Sequence, residues 1–444
     1  MNRQRFVAFL LLMIIHLPLS AEIEIVITSG MDSARPVAVL PFTWTGRTET
    51  PPHDVASIVA SDLRRSGRFN PMDRHDLVQT VDNYAALDLE AWRKKGIEAV
   101  VVGTVEEQPD GKVKISYELV DVFLKPQGTQ GVANLTPNRL DAYAVTVDMN
   151  GLRFEAHRVS DRIYFELTGM RGAFATKLAY VSVDKSLPKP YRLMVSDSDG
   201  FDSQAVWASN EAIMSPAWSP DAKKLAYVSF ENGRSEVYVQ ELFGAKARQK
   251  VASFIGINSA PAFSPDGRML ALTLSRDGNP EIYILDINSN RYSRITHSNY
   301  SIETEPGWFP DGQFILFTSD RGRGPQIYKQ HLASGAAERM TWESNYNASG
   351  SITPDGKTMV MISRVNGVYH VAVQDLETNN VQILTKTTLD ESPSLAPNGS
   401  MVIYATVYGN RQVLSVVSTD GRFKARLPSK KGIVKAPVWS PYIE

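Results

Sequence analysis

In the second half of the chain, short strand-like runs recur, and each follows the same phrase. Lys224-Leu225-Ala226-Tyr227-Val228-Ser229, Met269-Leu270-Ala271-Leu272-Thr273-Leu274 and Phe314-Ile315-Leu316-Phe317-Thr318 have strand composition. The phrase is an apolar residue, then Ser-Pro-Asp-Gly or a near variant. It reads Trp218-Ser219-Pro220-Asp221, Phe263-Ser264-Pro265-Asp266-Gly267, Phe309-Pro310-Asp311-Gly312, Thr353-Pro354-Asp355-Gly356, Ala396-Pro397-Asn398-Gly399 and Trp439-Ser440-Pro441. By subtraction its prolines lie 45, 45, 44, 43 and 44 residues apart. A fixed period of that size predicts a repeat architecture.

Proline presets φ for the second position of a type I turn, Asp or Asn suits the third, and Gly tolerates the left-handed backbone that closes a hairpin. Each phrase therefore joins two antiparallel strands. A third strand follows (Glu236 to Leu242, Glu281 to Ile287, Gln326 to Leu332), then a weaker fourth, and four strands per repeat describe a propeller blade. Residues 177–208 carry three strands with no inner strand before them, while Ala436-Pro437-Val438-Trp439-Ser440 is an inner strand with nothing after it. Pairing 436–440 with 177–208 removes two open sheet edges and gives six blades over 175–444.

Before the propeller the period changes. Val37 to Pro41 and Ala99 to Gly103 read as short buried strands, Lys112 to Phe123 and Tyr143 to Val147 as further strands. Asp54 to Ser66, Leu89 to Lys95 and Leu152 to Leu167 read as helices. The alternation predicts a small α/β domain over 34–172, so the fold class is mainly β: a six-bladed β-propeller preceded by a small α/β domain. Glu22 to Ile27 alternates polar and apolar residues, as an edge strand of that domain does, or as a tail that adds itself to another protein's sheet. Composition favours the edge strand. Residues 1–21 combine Arg3 and Arg5 with the apolar run Phe6 to Ile15 and a small residue at Ala21, the pattern of a secretory signal peptide.

The chain of 444 residues has no cysteine and a formal net charge of -1. Disulfides are excluded, and nothing in the charge balance calls for nucleic acid. There is no Gly-x-Ser-x-Gly elbow, Walker loop or His-Glu-x-x-His. His53, His75, His157, His297, His331 and His370 are scattered through unrelated segments and read as surface or structural residues. Asp197, Asp199 and Asp202 lack the spacing and distal Glu of a calcium loop and read as a turn.

Because strands alternate direction, every Pro-Asp-Gly turn lies on one propeller face, and the segments before the inner strands converge on the other. These are Met214-Ser215, Asn258-Ser259-Ala260, Glu303-Thr304-Glu305, Asn347-Ala348-Ser349, Asp390-Glu391-Ser392 and Val434-Lys435-Ala436, with Ile257 an aliphatic neighbour. They are small, polar or acidic residues that either terminate strands or receive a partner's loop. Arg234, Arg321, Arg323 and Arg411 add charge on the same face. A cation such as calcium among Glu303, Glu305, Asp390 and Glu391 is one expectation for this mouth. A propeller hydrolase would need a nucleophile motif that is not there, and a sugar-binding propeller would need exposed aromatics that these segments do not supply.

Several further stretches are chemically particular: Ser29-Gly30, Phe69-Asn70-Pro71-Met72-Asp73, Met214-Ser215-Pro216-Ala217-Trp218, Thr304-Glu305-Pro306, Trp342-Glu343, Leu395-Ala396-Pro397-Asn398-Gly399 and the long run Val417 to Pro428. Through them the exported chain resembles the TolB family of the Tol-Pal envelope system of Gram-negative bacteria. The resemblance implies a periplasmic adaptor with no catalytic activity and no cofactor. Its mouth would receive the lipoprotein Pal through Met214, Ser215, Ile257, Ser259, Ala260, Thr304, Glu305, Ala348, Glu391 and Lys435. The segment 22–33, with Glu22, Ile23, Glu24, Ile25, Val26, Ile27, Ser29, Asp32 and Ser33, would contact the C-terminal domain of TolA. The resemblance also implies a role in outer-membrane integrity and constriction during division, and use of the same mouth by colicin translocation segments. Two departures stand out: Ile257, where the family often has a basic or polar residue, and Gly350-Ser351-Ile352, which lacks the usual proline and aromatic.

Overall fold

The computed structural model describes residues 26–31, 33–124, 138–244, 247–427, 429 and 432–444. The expected signal peptide, together with Glu22, Ile23, Glu24, Ile25 and Asp32, lies outside the described residues.

Strand β1 (Val26–Ser29) is followed by β2 (Arg35–Val39), β3 (Thr43–Thr45), α1 (Val55–Arg65), β4 (Phe69–Pro71), α2 (Leu89–Lys94), β5 (Ala99–Glu107), β6 (Val113–Asp121), β7 (Arg139–Val147) and α3 (Leu152–Thr168). The sheet runs β4-β2-β5-β6-β7, parallel from β4 to β5 and antiparallel beyond, with β3 also on β5. Its central strands are buried on both faces because helices cover both. Val59 and Leu63 of α1 and Leu152, Val159 and Ile163 of α3 pack on Val37, Val101 and Ile115. Trp92 of α2 is buried on the opposite face against Leu40, Val100 and Val102. Helix α1 starts at Asp54, whose carboxylate accepts the Ser57 N–H at 2.9 Å, and α3 ends at Gly169 with φ +74°.

The rest is the six-bladed propeller that the repeat predicts. Blade 1 combines Lys177–Val183, Tyr191–Asp197 and Gln204–Ser209 with the inner strand Ile433–Trp439, which pairs antiparallel with Lys177–Val183. Blades 2 to 6 begin with the inner strands Ile213–Trp218, Asn258–Phe263, Glu303–Trp308, Asn347–Ile352 and Glu391–Leu395. Each blade then steps outward through antiparallel neighbours. The Ser-Pro-Asp phrase is a turn as its chemistry requires: Ser264 Oγ donates to Asp266 Oδ1 at 2.6 Å, and the Gly267 N–H returns to the Ser264 carbonyl at 2.9 Å.

The reading of the N-terminal segment as an edge of the α/β domain is corrected. Strand β1 instead extends blade 6, pairing antiparallel with that blade's outer strand Lys424–Leu427. Thr28 Oγ1 donates to the Lys424 carbonyl, and Ile27 and Met31 rest on the cluster that holds Phe423 and Leu427. The α/β domain docks on the same side of the ring. Arg65 donates to Ser198, Arg153 pairs with Asp197 and Asp199, and Asn398 donates to the Arg171 carbonyl. Asp197 and Asp199 thus sit in the turn their spacing predicts, and they serve the domain interface.

Candidate functional site

The mouth is built from one local device repeated around the ring. In each inner strand the pairing register slips by one residue: between Met214 and Ala217, Ser259 and Ala262, Thr304 and Gly307, Ala348 and Ser351, Glu391 and Ser394, and Lys435 and Val438. At each slip one residue with a side chain takes left-handed backbone, namely Ser215, Ala260, Glu305, Ser349, Ser392 and Ala436, with φ between 47° and 54°. These are β-bulges, and five of the six are followed by proline, which has no N–H to lose where the ladder breaks. Ser349 is followed by Gly350 instead. A left-handed residue with a side chain costs about 1–3 kcal/mol and persists only where its surroundings fix it.

What fixes it is the residue two positions ahead. Asn258 is fully buried and its amide ties the Phe254 and Gly256 carbonyls of the loop leading in. Glu303, also fully buried, holds Arg321 at 2.8 Å and the hydroxyls of Ser301 and Ser319. Asn347 donates to Gln326, and Asp390 accepts from Thr387 and Thr406. In blades 1 and 2 the same position is apolar, Val434 and Ile213, and packs into the core.

The four acids named for a cation are all engaged within the protein, Glu391 accepting from Gln412 at 3.1 Å. Glu303 and Asp390 are buried anchors of the approach loops. Glu305 is spent on the neighbouring blade, accepting the Ser349 N–H and hydroxyl at 2.9 Å each. Among the described residues the only trio of acids and histidine with ligand atoms within 4.8 Å of one another is His157, Asp197 and Asp199, at the domain interface.

The remaining candidates share one ring. Met214, Ser259, Thr304, Ala348, Glu391 and Lys435 occupy equivalent positions just before the bulges, while Ser215, Ala260 and Glu305 are the bulged residues themselves. Met214 and Ile257 are exposed; Ala348 is buried. Of the four arginines expected to charge this face, Arg321 is drawn onto Glu303 and Arg234 onto Glu236.

Exposed apolar side chains lie outside the six segments picked out from the sequence. The loops leading into the inner strands display Ile255 (87% exposed), Tyr300 (97%), Ile302, Trp342 (69%) and Leu389, and the hairpin after Met401–Tyr408 adds Tyr408. Sequence reasoning missed these because they lie two or more residues before the bulges. The signal was there in Ile255 and Tyr300, apolar residues in segments otherwise rich in Ser, Asn and Gly. A rim of exposed apolar groups around an ordered, buried polar scaffold is the anatomy of a protein-binding surface.

Fold and site together define a two-domain propeller protein whose ring carries six equivalent bulges beneath exposed apolar loops. Comparison with known proteins narrows the class. Residues 164–443 match the TolB beta propeller domain and residues 23–127 the TolB amino-terminal domain. The Tol-Pal system protein TolB of Pasteurella multocida is 55% identical over 96% of this chain and 95% of its own, and that of Hamiltonella defensa 54% over 96% of each. The crystal structure of TolB from Acinetobacter baumannii superposes with a TM-score of 0.84 at 38% identity, covering 95% of this chain and all of that one. The chain belongs to the TolB family of the Tol-Pal system.

Proposed function

We propose that the protein is a non-catalytic periplasmic adaptor, exported by the segment 1–21, that joins two partners of the envelope. The mouth receives the lipoprotein Pal: Met214, Ile257 and the exposed Ile255, Tyr300 and Trp342 supply the apolar contact, and Ser259, Thr304, Glu391 and Lys435 the polar rim. The segment Glu22 to Ser33 is the part received by TolA. By linking them the adaptor keeps the outer membrane attached and drawn inward during division, and colicin translocation segments use the same mouth.

The observation that carries this reading is the ring of six equivalent bulges beneath an apolar rim, with buried polar anchors tying the approach loops of blades 3 to 6. Preorganised loops lose little freedom on binding, which favours recognition of a folded partner. Among the described residues no helix is long and apolar enough to cross a membrane. The test is calorimetric titration of the protein with Pal lacking its lipid, and of a peptide spanning 22–33 with the TolA C-terminal domain. Saturable binding in both supports the adaptor; absence of heat in the first removes Pal from the mouth. The exposed Tyr300, Trp342 and Tyr408 favour sugar binding as a second reading. Titration with muropeptides separates the two.

A further inference from the structure

Between the two domains lies a buried patch of charge that the mouth does not use. His157 on α3 is 1% exposed, and its Nδ1 lies 2.7 Å from Oδ2 of Asp62 on α1. Its other ring nitrogen, Nε2, has no hydrogen-bond partner among the described residues and stands 3.9 Å from Oδ2 of Asp199, in the third-to-outer turn of blade 1. Two carboxylates, one from each domain, thus occupy opposite ends of one ring. A neutral imidazole has a single N–H, so it donates to one and turns a lone pair on the other; only the imidazolium donates to both. The 3.9 Å gap is too long for a hydrogen bond and too short to seat a water between the two atoms.

The titratable and charged groups packed around this patch are Asp62 and Arg65 of α1, Arg153 and Asp161 of α3, Asp197 and Asp199 of the blade 1 turn, Lys177 beside it and His53 ahead of α1. His157, Asp197 and Asp199 have the spacing of a cation site, but Arg153 and Lys177 already hold the aspartate oxygens. Two fixed positive charges there repel a divalent ion, while a proton on Nε2 adds a donor without displacing either.

We propose that His157 is a proton-operated clamp: protonated, it draws Asp199 onto Nε2 and tightens the Arg153 pairs that join blade 1 to α3, and deprotonated, it leaves those pairs to hold the interface alone, so the domains sample a wider range of orientations. The clamp lies on the face opposite the mouth, so it sets domain orientation without touching the docking rim.

The chain has no cysteine, which makes distance measurement clean. Spin labels on Lys94→Cys and Lys357→Cys in the full chain report the separation of the domains. A narrow distance distribution is expected at about pH 5.5 and a broader one at about pH 8. His157→Gln can still donate to Asp62 and cannot take up a proton, so its distribution should be the same at both pH values. A parent protein with the same distribution at both pH values overturns the proposal. So does an imidazole nitrogen spectrum showing His157 neutral at the lower pH, and so does broadening by a chelator there, which would assign the gap to a metal.

Discussion

Glu305 of blade 4 grips Ser349 of blade 5: its carboxylate accepts the Ser349 N–H and hydroxyl at 2.9 Å each and the Thr318 hydroxyl at 2.8 Å. Both residues are left-handed, and Ser349 is the one without a following proline. The grip therefore replaces covalent restraint with hydrogen bonding at the weakest bulge. Glu305→Ala takes the acceptor from the Ser349 and Thr318 hydroxyls, leaves the Ser349 N–H only Thr318 Oγ1 at 3.2 Å, and is expected to cost about 1–3 kcal/mol in urea unfolding. Glu305→Gln, which keeps one acceptor oxygen, should cost less. If the alanine protein unfolds at the parental midpoint, the grip carries no stability. If stability falls, any loss of partner affinity in that variant reports the shape of the ring as well as the contact.

Gly30 ends β1 with φ +102°, and a Cβ there would stand 2.7 Å from the Arg422 carbonyl oxygen and the Phe423 Cα. Both obstacles are backbone and cannot swing aside. Gly30→Ala is expected to lift β1 from blade 6 while the propeller keeps its cooperative melt, because Ile27 and Met31 are only partly buried against it. Amide exchange is the readout: Ile27 and Ser29 should lose protection while Val416 and Val417 keep theirs. Retained protection at Ile27 would mean that the pairing tolerates the methyl group.

The propeller was legible because its signal is local and repeated. A Pro-Asp-Gly turn needs no tertiary partner to take its shape, and six copies at one period leave little freedom in the count. The bulges were not legible, although Ser215-Pro216, Ala260-Pro261, Glu305-Pro306, Ser392-Pro393 and Ala436-Pro437 recur at the same period. A following proline disfavours helix but does not select positive φ. Glu303 and Asp390 look like rim residues in sequence, since a carboxylate that lines a channel and one that anchors a loop are the same letter. Burial against Ser301, Ser319 and Thr406 decides between them. The partner of β1 lies nearly 400 residues away, as Thr28 and Lys424 show, and four residues of alternation cannot specify it.

On the proposed Pal-binding face, Ile257→Glu and Tyr300→Ala are expected to weaken Pal binding by roughly tenfold or more each, an apolar anchor that a partner buries being worth at least ~1.4 kcal/mol. Both side chains are exposed, so the melting temperature should not move. Calorimetric titration beside a thermal melt separates the two quantities. Parental affinity in both variants would shift the contact away from blades 3 and 4.

Asp161 of α3 accepts the N–H groups of Phe174 at 2.7 Å and Ala175 at 3.3 Å, pinning the segment that joins the domains. Burial pushes its carboxyl up to about 6 from 3.8, more than the two amides can offset. A carboxyl whose folded value is raised binds its proton more tightly folded than unfolded. Its contribution to stability is complete below 3.8 and is lost as pH rises through 6. Asp199 runs the other way. Burial opposes its ionisation, but Arg65, His157 and Arg153 hold its carboxyl down to about 2, so its contribution is present above 3.8 and fades only as pH falls toward 2. Above 3.8 Asp161 titrates in the folded protein and Asp199 does not. Unfolding free energy is therefore expected to decline from about pH 4 to about pH 6.5, by on the order of 1–3 kcal/mol from this group. Asp161→Asn keeps an oxygen for the Phe174 N–H and cannot ionise. Its profile should be flatter across that interval, and its stability at about pH 7.5 should exceed the parent's. Urea titrations through the interval measure both, and a parental slope in the asparagine protein would assign the decline to another group.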